Sequence, residues 1–143
     1  QEGIFVDKIP NLHICSDIDA QEQIRRSRVV VGYGSTTLLE AAVSGKVVIV
    51  PEFGEIAPGQ KWAHTRPYPD ISDCFEIADS RERLSELIKM RYEKPRISVE
   101  TMQKRVSAFE GYVSFPDGSS TSRSLALIHR ILSQRQQRIG SGL

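Results

Sequence analysis

Four runs of apolar residues along the chain predict β-strands. Residues 28–33 (RVVVGY) and 46–51 (KVVIVP) are continuous, mostly β-branched runs, which is the pattern of strands covered on both faces in a parallel sheet. Shorter runs at residues 11–16 (NLHICS) and 74–78 (CFEIA) predict two further strands. The hydrophobic pattern therefore predicts a sheet of four strands.

Helical patterns fill the segments between and after these runs. Residues 19–27 begin with Asp19 and place Glu22 three residues later, which is the spacing of a helix capping box. A short apolar helix is expected between the two valine-rich strands. Apolar residues at helical spacing predict three more helices, at residues 79–93, 98–112 and 119–138.

The order of these elements predicts the fold class. Strands that alternate with helices through short connections form right-handed crossovers, so we expect an α/β fold with a doubly wound, mostly parallel, Rossmann-like sheet. A chain of 143 residues suits one domain with one core, placed here at residues 1–138 and followed by a frayed tail at residues 139–143. The connection at residues 52–73 is long and without a clear period, which is typical of a functional or disordered loop.

Composition and charge exclude several classes of protein. With 39% hydrophobic residues, 26% charged residues and a formal net charge of +1, the chain resembles an ordinary globular domain and lacks the basic stripe expected of a nucleic-acid-binding protein. Cys15 and Cys74 lie far apart without the spacing of a zinc site, so we expect buried, reduced thiols in a cytoplasmic protein. No secretory signal or transmembrane run is recognisable, and the start at Gln1 suggests the downstream part of a longer protein.

The residues most indicative of chemistry follow the first valine-rich strand. In open α/β sheets ligands gather at the carboxyl ends of the strands, and the sequence GYGSTT runs from such an end into a helix. Gly32 and Gly34 would let the backbone turn tightly and approach a ligand. The backbone N–H groups and hydroxyls of Ser35, Thr36 and Thr37 would donate to an anion at the helix N-terminus. Together with Gly34, these three residues form a predicted phosphate site.

Glu40 lies on the helix that follows this turn. It is three residues from Thr37 and four from Thr36, which places its carboxylate on the same stripe of the helix as their hydroxyls. A carboxylate one turn beyond a phosphate site can accept two hydrogen bonds from a vicinal diol such as that of a ribose. The spacing alone leaves a second interpretation open, in which Ser35 is only an N-cap, the glycines only form a turn, and Glu40 is solvated or paired with a lysine.

Residues 32–51 resemble the donor-binding segment of a known family. Their sequence, GYGSTTLLEAAVSGKVVIVP, is similar to that of GT-B glycosyltransferases, especially the lipid II-forming GlcNAc transferase and bacterial capsule and surface-polysaccharide transferases, and to the related UDP-GlcNAc 2-epimerases. The resemblance covers residues 12–53, with Arg28 where many relatives carry an aspartate, and extends less specifically to residues 115–132. The residues that match the family order are Glu40, Ala41, Ala42, Gly45, Lys46 and Pro51.

The resemblance implies a role in surface-polysaccharide or glycolipid synthesis. It implies that the chain is the C-terminal, donor-binding lobe of a GT-B enzyme, with pyrophosphate at residues 34–37 and ribose at Glu40. The expected donor is a UDP-sugar, and no separate cofactor is expected. The acceptor-binding N-terminal lobe and the catalytic base would lie outside the chain, and the full-length protein could associate peripherally with a membrane. No metal is expected, because the Asp-Ile-Asp at residues 17–19 is interpreted as a helix cap.

The long loop supplies further candidates for binding the donor. Gln60, Lys61, His64 and Arg66 follow the strand that ends at Pro51. There they could contact a sugar or stabilise the leaving diphosphate. Loop residues of this kind are also commonly solvated, and the loop does not match the family residue by residue.

Two other functions fit the same segment. An enzyme like the UDP-GlcNAc 2-epimerases would use the same donor site with acid–base residues outside this chain. A non-catalytic, Rossmann-like module that binds a nucleotide for regulation would need no catalytic residues at all. The sequence leaves both open beside a glycosyltransferase.

Overall fold

The structure is a computed structural model that describes residues 10–57, 59–61, 63 and 68–140. Within these residues, the strands are β1 (Val29–Val31), β2 (Val47–Pro51) and β3 (Glu76–Ala78). The α-helices are α1 (Ala20–Arg26), α2 (Thr36–Val43), α3 (Arg81–Glu93), α4 (Val99–Tyr112) and α5 (Ser120–Gly140). Short 3₁₀ segments lie between β2 and β3, at Gly54–Ile56 and Pro69–Cys74.

The strands form a parallel sheet with β2 in the centre. Val29 lies opposite Val47 in the β1–β2 register, and Pro51 lies opposite Ala78 in the β2–β3 register. All five residues of β2 are buried. The parallel pairing of the two valine-rich runs, with β3 beside them, confirms the predicted α/β class in a small, three-stranded sheet.

Helices cover both faces of β2, which explains why its apolar run is continuous. Successive side chains of a strand point to opposite faces of the sheet. Val48 and Val50 pack into a cluster with residues of α1, α2 and α4. Val47 and Ile49 pack on the other face with Leu87 of α3. Since neither face is open to water, every position of the strand is apolar.

The predicted strand at residues 11–16 is wrong. Residues 12–15 have no regular structure, and the side chain of Ile14 is 75% exposed. A strand is stable only beside a hydrogen-bonded neighbour and with a covered face. In the described part of the chain, β1 pairs with β2 only, so residues 12–15 do not pair with the other edge of β1.

Helix α1 begins where it was predicted, but its capping box is only half formed. Asp19 is the N-cap, and its Oδ1 accepts the backbone N–H of Glu22 at 2.8 Å. The Glu22 carboxylate turns to Arg25 and Arg26, each at an N···O distance of 2.6 Å. Two ion pairs therefore replace the reciprocal bond that a complete capping box makes.

Arg105 of α4 is a charged side chain inside the core, only 2% exposed. Its Nε donates to the carbonyl of Cys74 at 2.9 Å. Its Nη1 donates to the carbonyls of Ala42 and Lys46 at 3.3 and 2.7 Å. The guanidinium thus joins the end of α2, the start of β2 and the segment before β3, which holds the helix carrying Glu40 against the sheet.

The two cysteines are both free thiols. Cys74 is buried, as expected, and burial raises the pKa of its thiol. Cys15 is exposed, contrary to the expectation, because it belongs to the segment that does not form a strand.

Helix α5 lies outside the core. Every residue from 120 to 136 is exposed, and the helix continues to Gly140, past residue 138, the predicted end of the domain. Across the described ranges, no helix is both long and apolar enough to span a bilayer.

Candidate functional site

The turn from β1 into α2 is organised by hydrogen bonds of Ser35. Ser35 is the N-cap of α2, and its Oγ accepts the backbone N–H of Thr37 at 3.2 Å. The same hydroxyl donates to Oγ1 of Thr37 at 3.0 Å. Gly34, Ser35 and Thr36 are exposed, and Thr37 is half-buried. The turn is therefore open to a ligand, while the Ser35 side chain already has the capping role of the second interpretation.

Gly32 is required for packing. The φ angle of Gly32 lies outside the left-handed region, so the backbone conformation does not require glycine at this position. A Cβ added at this position would lie 2.8 Å from Cδ2 of Leu38, a buried side chain of α2. Its backbone N–H extends the sheet by donating to the carbonyl of Ile49 at 3.3 Å. The absence of a side chain thus lets α2 pack closely onto the end of β1.

Glu40 is half-buried and lines a cavity of about 360 Å³. The cavity lies between α1, α2 and the segment that leads from α4 into α5. Its walls are mostly apolar, with a few polar groups, which is the usual character of a small-molecule site. The lining residues are Gln21, Ile24, Glu40, Val43, Ser44, Phe109, Val113, Ser114, Phe115, Pro116, Gly118 and Ser120.

The Glu40 carboxylate has no hydrogen-bond or ion-pair partner among the described residues. The two cations that flank its segment in sequence are engaged elsewhere. Lys46 donates its Nζ to the carbonyl of Arg25 at 2.9 Å, and Arg28 donates to the carbonyl of Tyr92 at 3.1 Å. Pairing of Glu40 with a lysine is thus not observed, and its carboxylate is available to a ligand in the cavity.

The structure does not bring the whole predicted site into one cavity. Glu40 lines the cavity, whereas Gly34, Ser35, Thr36 and Thr37 do not. They lie at the other end of α2, about 6 Å along the helix axis at 1.5 Å per residue. The candidate site therefore has two parts, an exposed helix N-terminus and a cavity one turn away.

Sequence reasoning missed the part of the cavity wall contributed by α4 and the residues after it. Phe109, Ser114 and Phe115 face Glu40 from about 70 positions further along the chain. The weaker resemblance at residues 115–132 was the one signal that pointed there. The serine-rich stretch in this region is held by Asp117, which accepts the backbone N–H of Ser119 at 2.9 Å.

The loop candidates contribute less than expected. Gln60 and Lys61 are exposed, and neither lines the cavity that contains Glu40. His64 and Arg66 lie outside the described residues. The carboxyl edge of the sheet has a second cavity, also of about 360 Å³, lined by Tyr33, Phe53, Gly54, Glu55, Ile56 and Arg81. Arg81, the first residue of α3, is a cation at this edge that the sequence analysis did not select.

A metal site is not apparent in the described ranges, which contain no group of three or more His, Cys, Asp or Glu side chains able to hold an ion. Comparison of the chain with protein-family models, with curated proteins and with solved structures found no match.

Proposed function

We propose that the chain binds a nucleoside-diphosphate sugar as the donor half of a glycosyltransferase in surface-polysaccharide or glycolipid synthesis. The observation that carries this proposal is the Glu40 carboxylate, half-buried, without a cation partner in the described structure, on the wall of a mostly apolar cavity. A carboxylate in such a place is free to accept hydrogen bonds from a ligand in the cavity. A ribose diol supplies two such hydrogen bonds.

The spacing along α2 suits the two ends of a nucleoside diphosphate. In the proposed arrangement, the phosphates lie at the exposed N-terminus, against the backbone N–H of Thr36 and the hydroxyls of Thr36 and Thr37. The ribose lies one turn further on, at Glu40, and the base enters the apolar part of the cavity beside Ile24 and Phe109. One helix would thus hold both polar parts of the ligand.

The contribution of this half to catalysis is positioning and charge stabilisation. A departing nucleoside diphosphate gains negative charge as the glycosidic bond breaks, and a helix N-terminus stabilises that charge. Arg81, at the carboxyl edge of the sheet, adds a cation on the same side. The catalytic base and the acceptor would come from a lobe outside these 143 residues, in a larger doubly wound GT-B enzyme.

Thermal unfolding in the presence of UDP, CDP, GDP and inorganic phosphate tests the proposal. A ligand that binds only the folded chain raises its melting temperature, so one nucleoside diphosphate, with UDP expected, should raise it more than phosphate at equal concentration. A folded sample that none of the nucleotides stabilises would contradict the proposal.

Substitution of Glu40 tests the role of the carboxylate. Glu40→Gln should weaken UDP binding by about tenfold or more, because hydrogen bonds to a charged group are lost. The variant should leave phosphate binding unchanged, because phosphate has no ribose. Glu110→Gln, at an exposed position of α4, is the control and should change neither. Equal weakening of UDP and phosphate by Glu40→Gln would exclude a ribose contact.

A further inference from the structure

Helix α5 carries a broad apolar face that no part of the described chain covers. We define this apolar face as Leu125, Leu127, Ile128, Ile131 and Leu132, whose exposure lies between 47% and 53%. At 100° per residue these side chains span about 160° of the helix circumference. That arc is wider than the two-position seam with which a helix packs against one partner helix. The face is therefore wide enough to lie on a flat apolar surface.

The charge of α5 is opposite in sign to that of the rest of the chain. The helix contains four of the chain's 19 basic residues and none of its 18 acidic residues. The remaining residues carry 15 basic and 18 acidic groups, a formal net charge of −3. An anionic surface would therefore attract the helix and repel the body of the domain.

From the exposure, width and charge of this helix we infer that α5 is an interfacial helix that binds the anionic headgroup surface of a phospholipid membrane. Its apolar face enters the boundary between headgroups and acyl chains, and the positive charge of its arginines is attracted to the lipid phosphates. Arg135 falls within the arc of the apolar face, one turn beyond Ile131. In a bilayer interface its long side chain can lie along the apolar surface and still place the guanidinium among the headgroups.

Other occupants of the face fit these observations less well. Two copies of α5 packed through this face would bring Arg135 of both helices into the interface, with no acidic residue in either helix to compensate. A protein groove that covered the whole arc would also bury the guanidinium of Arg135, and this costs free energy unless a carboxylate pairs with it. A lipid surface supplies anionic groups at every position.

Contacts of Arg123 hold the first turn of α5 beside the cavity that Glu40 lines. Asp117 Oδ2 accepts a hydrogen bond from Arg123 at 2.7 Å, and the Arg123 guanidinium lies 4.3 Å from the centre of the Phe115 ring. Ser120, the first residue of α5, lines the same cavity as Glu40. Membrane binding by α5 would therefore hold this cavity close to the bilayer surface, whatever ligand the cavity takes.

Flotation of the chain with lipid vesicles tests the inference. Vesicles of phosphatidylcholine with about one-third phosphatidylglycerol should bind the chain at least about tenfold more tightly than vesicles of phosphatidylcholine alone, and added salt should weaken the binding. Equal binding to both kinds of vesicle, or binding to neither by a folded sample, would overturn the inference.

Paired variants separate the apolar and charged contributions. Ile128→Gln with Ile131→Gln should reduce binding to the anionic vesicles by about tenfold or more, because two buried side chains are lost. Glutamine keeps a good helix propensity, and both positions are exposed, so the domain stays folded. Val99→Gln on α4, where the side chain is 77% exposed, is the matched control and should have no effect.

The charge variant is Arg130→Gln with Arg135→Gln, which should also reduce binding by about tenfold. Its control is Lys89→Gln with Lys94→Gln at exposed positions of α3 and its C-cap. If neither α5 pair changes binding, the helix is not the membrane contact.

Two further results would show that something other than a lipid membrane covers the apolar face. Sedimentation of the chain without vesicles as a dimer that the Ile128/Ile131 variant dissociates would show that a second copy covers the face. Binding of soluble polyglutamate as tight as that of the anionic vesicles would show that acidic groups alone, as on a protein, account for the attraction.

Discussion

At the scale of single residues, Arg105 shows how a charge can stabilise the interior of a small domain. Burial lowers the pKa of its guanidinium, since desolvation disfavours the charged form. Three backbone carbonyls, of Ala42, Lys46 and Cys74, compensate by accepting its hydrogen bonds. The side chain thereby connects segments that are about 60 and 30 residues away along the chain.

Replacement of Arg105 by methionine should be strongly destabilising. Arg105→Met keeps an unbranched apolar side chain but removes the three N–H groups that donate to backbone carbonyls in the interior. We therefore expect the free energy of unfolding to fall by about 2–4 kcal/mol. Urea unfolding measures it. Gln103→Met, at an exposed position of the same helix, should change stability by less than about 0.5 kcal/mol. Similar effects of the two substitutions would contradict the role assigned to Arg105.

Two glycines should respond to alanine with opposite signs. Gly32→Ala brings a methyl group to 2.8 Å from Leu38, and overpacking of this kind costs about 1–3 kcal/mol. Gly111→Ala in α4 meets nothing within 4 Å, and it should stabilise the domain by about 0.5 kcal/mol through helix propensity. Thermal unfolding of both variants checks the sign. Stabilisation by Gly32→Ala would show that the packing against Leu38 is not close.

At the scale of elements, α1 combines an N-cap with a cluster of charges. The hydrogen bond from Arg25, with further contributions from Arg26, lowers the pKa of Glu22 from 4.5 to about 2. A carboxyl whose pKa is lower in the folded state contributes stability above its unfolded pKa and loses it as the pH falls through the folded value. The contribution of Glu22 is therefore complete above about pH 4.5 and disappears toward pH 2.

Glu22→Gln should make the stability of the chain less dependent on pH in that window. The variant should be less stable than the natural chain at neutral pH, and the difference should shrink as the pH falls from 4.5 toward 2. Urea unfolding at a series of pH values measures this. The comparison variant is Glu82→Gln, which removes the first-turn glutamate of α3. A constant difference across the window would mean that the ion pairs of Glu22 do not form in solution.

At the scale of the whole molecule, the sheet is small, and the surfaces proposed to bind a nucleotide and a membrane lie around one helix–loop junction. The cavity opens where α1, α2 and the end of α4 meet, and α5 leads away from its rim. The nucleotide and vesicle experiments address different surfaces of this junction. Glu40→Gln should leave vesicle binding unchanged, and the Ile128/Ile131 variant should leave UDP binding unchanged, so either proposal can fail alone.

The residues whose structure could be predicted from the sequence are those governed by local rules. The valine-rich runs formed β1 and β2 because a strand covered on both faces is apolar at every position. Asp19 and Ser35 became N-caps because a short polar side chain satisfies N–H groups within three residues of itself. The position of Glu40 on the stripe of Thr36 and Thr37 follows from helical geometry alone.

The tertiary structure decided whatever depended on neighbours far along the chain. Ile14 lies in an apolar run that favours a strand, but its side chain stays exposed, because this run does not pair with any strand in the described fold. Gly32 excludes a side chain because Leu38 packs there, and Glu40 faces a cavity because Phe109 and Phe115 return to it from the other end of the chain. The apolar positions of α5 could be predicted as helical from the sequence, but only the folded domain leaves them uncovered, because neither core cluster of the described residues includes a residue of α5.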